Sequence, residues 1–231
     1  MCGILGVVGQ SPVNQLLYDG LQLLQHRGQD AAGIVTVDNK TLRLRKANGL
    51  VKDVFEARHM QRLSGNMGIG HVRYPTAGSA STAEAQPFYT NSPFGIALAH
   101  NGNLVNAAYL RSELLTRGFG LTATSDTEVM TLMLASAKGD TWEDRLATLM
   151  PSWIGAYSLV ILVADTVLAA RDPWGFRPLS VGRLPDGGHA VASETCALRT
   201  LGCTEIEEVQ PGEIVVMNGT DIRRIQAVPA A

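Results

Sequence analysis

Tyr157-Ser158-Leu159-Val160-Ile161-Leu162-Val163-Ala164 and Val167-Leu168-Ala169-Ala170-Arg171 are two apolar runs of strand length, separated only by Asp165-Thr166. So short a connection joins neighbouring antiparallel strands, because a parallel return needs a crossover of roughly a dozen residues or more. Further short runs follow at residues 179–182, 190–192, 213–217 and 222–225. Turn signals at Pro185-Asp186-Gly187-Gly188 and Asn218-Gly219 punctuate them. The C-terminal third therefore reads as antiparallel sheet.

Upstream, residues 4–8 form an apolar run with glycines at 3, 6 and 9, which reads as a buried strand. The spacing is G-x-x-G-x-x-G with no strand before it, which excludes a dinucleotide-binding fingerprint. Ser11-Pro12 predicts an N-cap with proline at the first helical position. Val13, Leu16, Leu17, Leu21 and Leu24 then recur at helical spacing up to Gly28. Residues 32–37 and 41–46 predict a hairpin around Asp38-Asn39-Lys40, residues 51–63 a helix, and Met67, Ile69 and His71 the next strand. Residues 74–94, rich in Pro, Ser, Thr, Ala and Gly, predict a long loop, a common seat of function.

A strand over 96–99 leads into His100-Asn101-Gly102-Asn103, and 106–117 reads as a helix. Ser125-Asp126-Thr127-Glu128 has the capping-box form before Val129, Leu132 and Met133, which puts Asp126 at a helix start. Thr141 caps another helix that ends at Pro151. The helices come in clusters and do not alternate one by one with strands, which excludes a doubly wound fold. An α+β architecture follows, with two antiparallel sheets carrying helices on their outer faces.

The chain has 231 residues, 45% of them hydrophobic and 17% charged, enough for one domain with a sizeable core. A net charge of −2, without a basic run interleaved with aromatics, argues against nucleic acid as a partner and favours a small polar substrate. No apolar run approaches membrane-span length. Cys2, Cys196 and Cys203 make no CxxC pair, which argues against a disulfide framework or a metal site and predicts a reducing, cytoplasmic setting.

Cys2 follows the initiator methionine. Once Met1 is removed, its thiol sits beside a free α-amine whose pKa is close to its own, so one residue can supply both nucleophile and base. Alone, the position also reads as a small apolar residue at a chain end. Four polar stretches bear on the choice: Gln25-His26-Arg27-Gly28-Gln29-Asp30, His71-Val72-Arg73-Tyr74-Pro75-Thr76, His100-Asn101-Gly102-Asn103 and Ser125-Asp126-Thr127-Glu128.

With Cys2-Gly3-Ile4, these stretches resemble the class II glutamine amidotransferases, N-terminal-nucleophile hydrolases, over essentially the whole chain. Gln86-Pro87-Phe88, the stretch from Ala170-Arg171-Asp172-Pro173 to Leu179, Ala192-Ser193-Glu194-Thr195-Cys196 and Val209-Gln210-Pro211-Gly212-Glu213 look most like the glutaminase domain of the amidophosphoribosyltransferases. The resemblance implies a four-layer αββα sandwich over residues 2–231. It also implies a phosphoribosyltransferase domain or subunit as partner, expected to be absent from this chain, and allows a homo-oligomer. No cofactor is expected here; magnesium, and in one version of the family an iron-sulfur cluster, go with the transferase part.

Hydrolysing a side-chain amide needs a nucleophile, a proton for ammonia, donors for the oxyanion and a clamp for glutamine. The resemblance makes Cys2 the nucleophile and puts Asn101 and the Gly102 N–H in an oxyanion hole, where one donor is typically worth about 3 kcal/mol. Arg73 would hold the α-carboxylate and Asp126 the α-ammonium. Thr76 would be a secondary contact in a closing loop, and Arg27 would support the geometry of Cys2.

Blander roles compete. Arg27 and His26 also fit a helix C-terminus, and Asp126 a helix-start charge. His71 and His100 read as packing beside the site, Cys196 and Cys203 as core or helix-end residues, and Trp142, Trp153 and Trp174 as packing. A catalytically silent or regulatory module, a glutaminase subunit of another class II amidotransferase, and another N-terminal-nucleophile amidohydrolase are the competing functions.

Overall fold

Two antiparallel sheets lie face to face, and each carries helices on its outer side. The computed structural model describes residues 1–74, 82–91 and 95–231. In chain order it contains β1 (Gly3–Val8), α1 (Asn14–Leu23) running into a 3-10 turn (Leu24–Arg27), β2 (Ala31–Asp38), β3 (Thr41–Asn48), α2 (Val51–Val54), α3 (Ala57–Arg62) and β4 (Met67–Arg73). A 3-10 turn (Thr82–Glu84) precedes β5 (Phe88–Thr90) and β6 (Ile96–Leu104). These are followed by α4 (Ala107–Thr116), α5 (Asp126–Ser136), α6 (Trp142–Leu149) and a 3-10 turn (Met150–Ser152). The remainder is β7 (Gly155–Val163), β8 (Thr166–Arg171), β9 (Ser180–Arg183), β10 (His189–Ala192), α7 (Thr195–Thr200), β11 (Thr204–Glu208), β12 (Glu213–Asn218) and β13 (Asp221–Gln226).

One sheet runs β11-β9-β10-β1-β4-β2-β3 and the other β13-β12-β8-β7-β6-β5, with antiparallel neighbours throughout. The β7–β8 hairpin forms as its sequence predicts, with Val163 opposite Thr166. Strand periodicity sorts the apolar residues into three cores. Ile4 and Val8 of β1 meet Val160 and Leu162 of β7 between the sheets, whereas Leu5 and Val7 face α1 and α7. Leu159, Ile161 and Val163 turn the other way, under α4, α5 and α6. Helix, sheet, sheet, helix is the four-layer sandwich expected from the sequence.

Several local expectations fail for identifiable reasons. Ser11 does not cap α1; Val13 occupies that position, with no side-chain cap. The helix expected over 51–63 is two short ones, because extended backbone at Glu56 starts α3 afresh in a capping box with His59. The long loop over 74–94 contains the 3-10 turn and β5, whose Phe88 pairs with Leu98. The His100–Asn103 stretch does not follow its strand but lies within β6, held open by pairing with β7 down to Leu104 and Gly155. α7 and β11 were not anticipated. Trp153 is buried as expected, but Trp174 is exposed and stacks on exposed Phe176.

Candidate active site

Pairing between Gly3 and Val72 brings the start of β1 to the end of β4, so the Cys2 thiol lies against Tyr74. The Tyr74 N–H donates to Cys2 Sγ at 3.5 Å, and Sγ lies 3.8 Å from the Tyr74 carbonyl. Burial pushes the thiol pKa up; the Tyr74 N–H, the Met1 α-amine, Arg73 and Arg27 all oppose that shift. Buried Arg27, at the end of the 3-10 turn after α1, donates from Nε to the Cys2 carbonyl at 2.9 Å and from Nη1 to Glu194. Gly28 is required next to it, since a Cβ there would lie 2.4 Å from the Arg73 carbonyl carbon. His26 behaves as its blander reading predicts, with Nδ1 on the Leu23 carbonyl at 2.8 Å, and its Nε2 also reaches Glu194.

Arg73 ends β4, and Nη1 donates to Asp30 Oδ2 at 2.7 Å. Across the cavity, Asp126 is the first residue of α5. Its Oδ2 accepts from the Leu104 N–H at 2.9 Å, and His100 Nδ1 lies 3.5 Å from Oδ1. Burial alone would raise the Asp126 pKa, but His100 and the Leu104 and Thr127 N–H groups bring it down to about 2. Asp126 is therefore an anion at neutral pH. The capping box around it is only half formed. Ser125 accepts from the Thr127 N–H, while Glu128 turns to the N–H groups of Thr122 and Ala123.

Asn101 and Gly102 sit side by side in β6. The Asn101 side-chain nitrogen is buried with no hydrogen-bond partner among the described residues. Gly102 runs so close to β7 that a Cβ would lie 2.0 Å from the Ala156 carbonyl oxygen, which only glycine allows. His100 of this strand and His71 of β4 are both buried; His71 Nε2 donates to the His100 carbonyl at 3.2 Å, and burial drops its pKa to about 3.

A cavity of about 360 Å³ opens between these elements, with Cys2, Arg73, Gly102 and Asp126 in its wall. Asn101 adjoins Gly102, and Arg27 stands behind Cys2. Thr76 lies outside the described residues. Glu84 and Gln86, also in the wall, were missed. Glu84 accepts from the Thr124 N–H at 2.7 Å, and Gln86 joins the His100 N–H to the Thr127 hydroxyl. Gln86 lies inside the quoted Gln86-Pro87-Phe88 stretch and Glu84 in no quoted motif, and the partners of both are distant in the chain and emerge only from the fold. Asp30 and Glu194 lie inside quoted motifs, but their ion pairs with Arg73 and Arg27 emerge only from the fold. Among the described residues no group of three or more metal-ligating side chains is placed to hold an ion.

Residues 71–200, which carry much of this wall, match the model of the glutamine amidotransferase domain. The chain belongs to that family. This glutamine amidotransferase domain is 52% identical to the amidophosphoribosyltransferase of Escherichia coli K12, over 93% of this chain and 46% of the relative. It is 40% identical to that of Bacillus subtilis 168, over 94% and 46%. A solved glutamine phosphoribosylpyrophosphate amidotransferase from B. subtilis, complexed with ADP and GMP, superposes with a TM-score of 0.91 at 38% identity, covering 98% of this chain and 49% of that one. The chain thus spans about half the length of the relatives it matches. A class II glutamine amidotransferase domain protein from Silicibacter pomeroyi, at 15% identity and TM-score 0.60, shares the fold. Among the described residues no helix is long and apolar enough to cross a membrane.

Proposed function

We propose that this domain hydrolyses glutamine to glutamate and ammonia, with Cys2 as nucleophile once Met1 is removed. The observation that carries this reading is one cavity holding a thiol, a cation and an anion, Cys2, Arg73 and Asp126, beside the Asn101-Gly102 strand. The Arg73 guanidinium suits the α-carboxylate of glutamine, and the Asp126 carboxylate suits its α-ammonium. With both charged groups of the α-carbon fixed, the side-chain amide is directed at Cys2.

The free α-amine takes the thiol proton as Sγ bonds to the amide carbon. The tetrahedral oxyanion receives the Asn101 Nδ2–H and the Gly102 N–H, and the orphaned Asn101 nitrogen supports that role. The C–N bond breaks as the same amine returns the proton to ammonia, and water then releases glutamate from the thioester. Arg27 holds the Cys2 main chain through its carbonyl, and Thr76 adds a contact to bound glutamine. We further infer that residues 2–231 act as one glutaminase domain in the cytoplasm, without a cofactor of their own. Ammonia would pass to a phosphoribosyltransferase domain or subunit; the relatives' names and greater length support this reading. Magnesium or an iron-sulfur cluster would belong to that partner.

Intact-mass measurement coupled to a glutaminase assay tests the reading. Met1-free protein should release ammonia and take up one equivalent of an electrophilic glutamine analogue on Cys2. Labelling at Cys196 or Cys203 with Cys2 untouched would refute it.

A further inference from the structure

The turn from β10 into α7 grips the nucleophile's strand from the far side of the chain. Ser193, fully buried, donates its N–H to the Ile4 carbonyl at 3.0 Å and accepts the Ile4 N–H on Oγ at 3.0 Å. The next residue, Glu194, occupies the N-cap position of α7, yet its side chain makes no cap hydrogen bond. Its carboxylate instead reaches Arg27 Nη1 and His26 Nε2, and accepts from Cys196 Sγ at 3.5 Å. Arg27 is 5% exposed at its side chain, and its Nη2 has no partner among the described residues. Its remaining bond is the one from Nε to the Cys2 carbonyl.

We propose that Glu194 is a positioning residue for Cys2, acting through Arg27. The inference rests on the glutaminase reading above. A buried guanidinium without its counter-charge is strongly destabilised where it lies, so loss of Glu194 drives Arg27 toward solvent and frees the Cys2 carbonyl. The thiol is then no longer held at attacking distance and angle. Glu194 has an electrostatic effect as well. The positive charges of Arg73 and Arg27 both favour the Cys2 thiolate, and Glu194 neutralises the second of these. Glu194 itself faces His26, Arg27 and Cys196.

The test compares Glu194→Ala and Glu194→Gln in the full chain with Met1 removed. The amide of Glu194→Gln still accepts from Arg27 Nη1 but carries no charge. Glu194→Ala should lower kcat about ten- to a hundredfold with KM for glutamine nearly unchanged, because Arg73 and Asp126 are untouched. Glu194→Gln should lose less, and its rate of Cys2 alkylation by iodoacetamide, mapped by mass, should rise at lower pH than in the unsubstituted chain. Wild-type kcat in Glu194→Ala, a parallel rise in KM, or an unshifted alkylation profile in Glu194→Gln would each overturn the proposal. If Glu194→Ala does not fold, the Glu194→Gln profile decides. An unsubstituted chain that releases no ammonia would overturn the glutaminase reading, and the alkylation profile would still judge Glu194.

Discussion

Arg73 and Asp30 hold each other twice: the guanidinium donates to the Asp30 carboxylate at 2.7 Å, and the Asp30 N–H donates to the Arg73 carbonyl at 3.1 Å. One edge of the guanidinium is thereby fixed, and another is left to line the cavity. Both side chains are largely buried, at 9% and 15% exposure, so removing one leaves the other as an unpaired charge. Asp30→Ala should cost about 3 to 5 kcal/mol of stability and raise KM for glutamine. Urea unfolding and steady-state kinetics measure the two effects. An unchanged KM in a folded variant would show that Asp30 does not aim Arg73.

The clamp itself is tested by Arg73→Ala and Asp126→Ala. Each removes one partner of a charge pair formed with bound glutamine, so kcat/KM for glutamine should fall by an amount equivalent to about 2 to 5 kcal/mol. The double variant should lose less than the sum of the singles, because glutamine held through only one of its α-carbon charges no longer benefits fully from the other contact. Kinetics within a few-fold of the unsubstituted chain would refute the clamp.

Much of this arrangement was legible beforehand. The β7–β8 hairpin is written in two apolar runs and a two-residue connection, and clustered helices excluded a doubly wound fold. Cys2, Arg73 and Asp126, which share one cavity wall, sit in short motifs whose order in the sequence is informative. What escaped depended on distant partners. His100-Asn101-Gly102-Asn103 carries turn residues, and only pairing of Gly102 with Tyr157 draws it out as strand. β11 was invisible because Thr204–Glu208 is mostly exposed and charged, an edge strand without apolar alternation. The break between α2 and α3 rests on a glutamate cap at Glu56, a weaker signal than serine or threonine.

Gly102 offers a steric test of the oxyanion strand. A methyl group there meets the Ala156 carbonyl oxygen at 2.0 Å and the His100 ring nitrogen at 2.7 Å, so β6 must shift away from β7. Gly102→Ala should move the Gly102 N–H off the oxyanion and lower kcat about a hundred- to a thousandfold, the range for losing one oxyanion donor. Binding of glutamate, which carries the same α-carboxylate and α-ammonium, should change far less. Equal losses in kcat and in glutamate affinity would mean that the substitution disturbs the whole cavity.

His71 gives the fold a pH dependence that begins above the carboxylate range. Its ring is fully buried, its Nε2 donates to the His100 carbonyl, and its pKa falls from 6.5 to about 3 on folding. Between those values the unfolded chain binds a proton at this residue and the folded chain does not. Stability therefore rises with pH across the window, is complete above 6.5, and is lost as pH falls, by about 1.4 kcal/mol per unit. Asp126 acts with the same sign lower down: its folded pKa of about 2 lies below 3.8, so its contribution is present above 3.8 and fades as pH falls toward 2. His189, also depressed by burial, adds to the His71 leg. His71→Gln keeps a donor for the His100 carbonyl but cannot be protonated, so its stability should fall less steeply between pH 6.5 and 4 than that of the unsubstituted chain. Urea unfolding at several pH values in this window gives both slopes. Parallel slopes would mean that His71 is not the group whose protonation opposes folding.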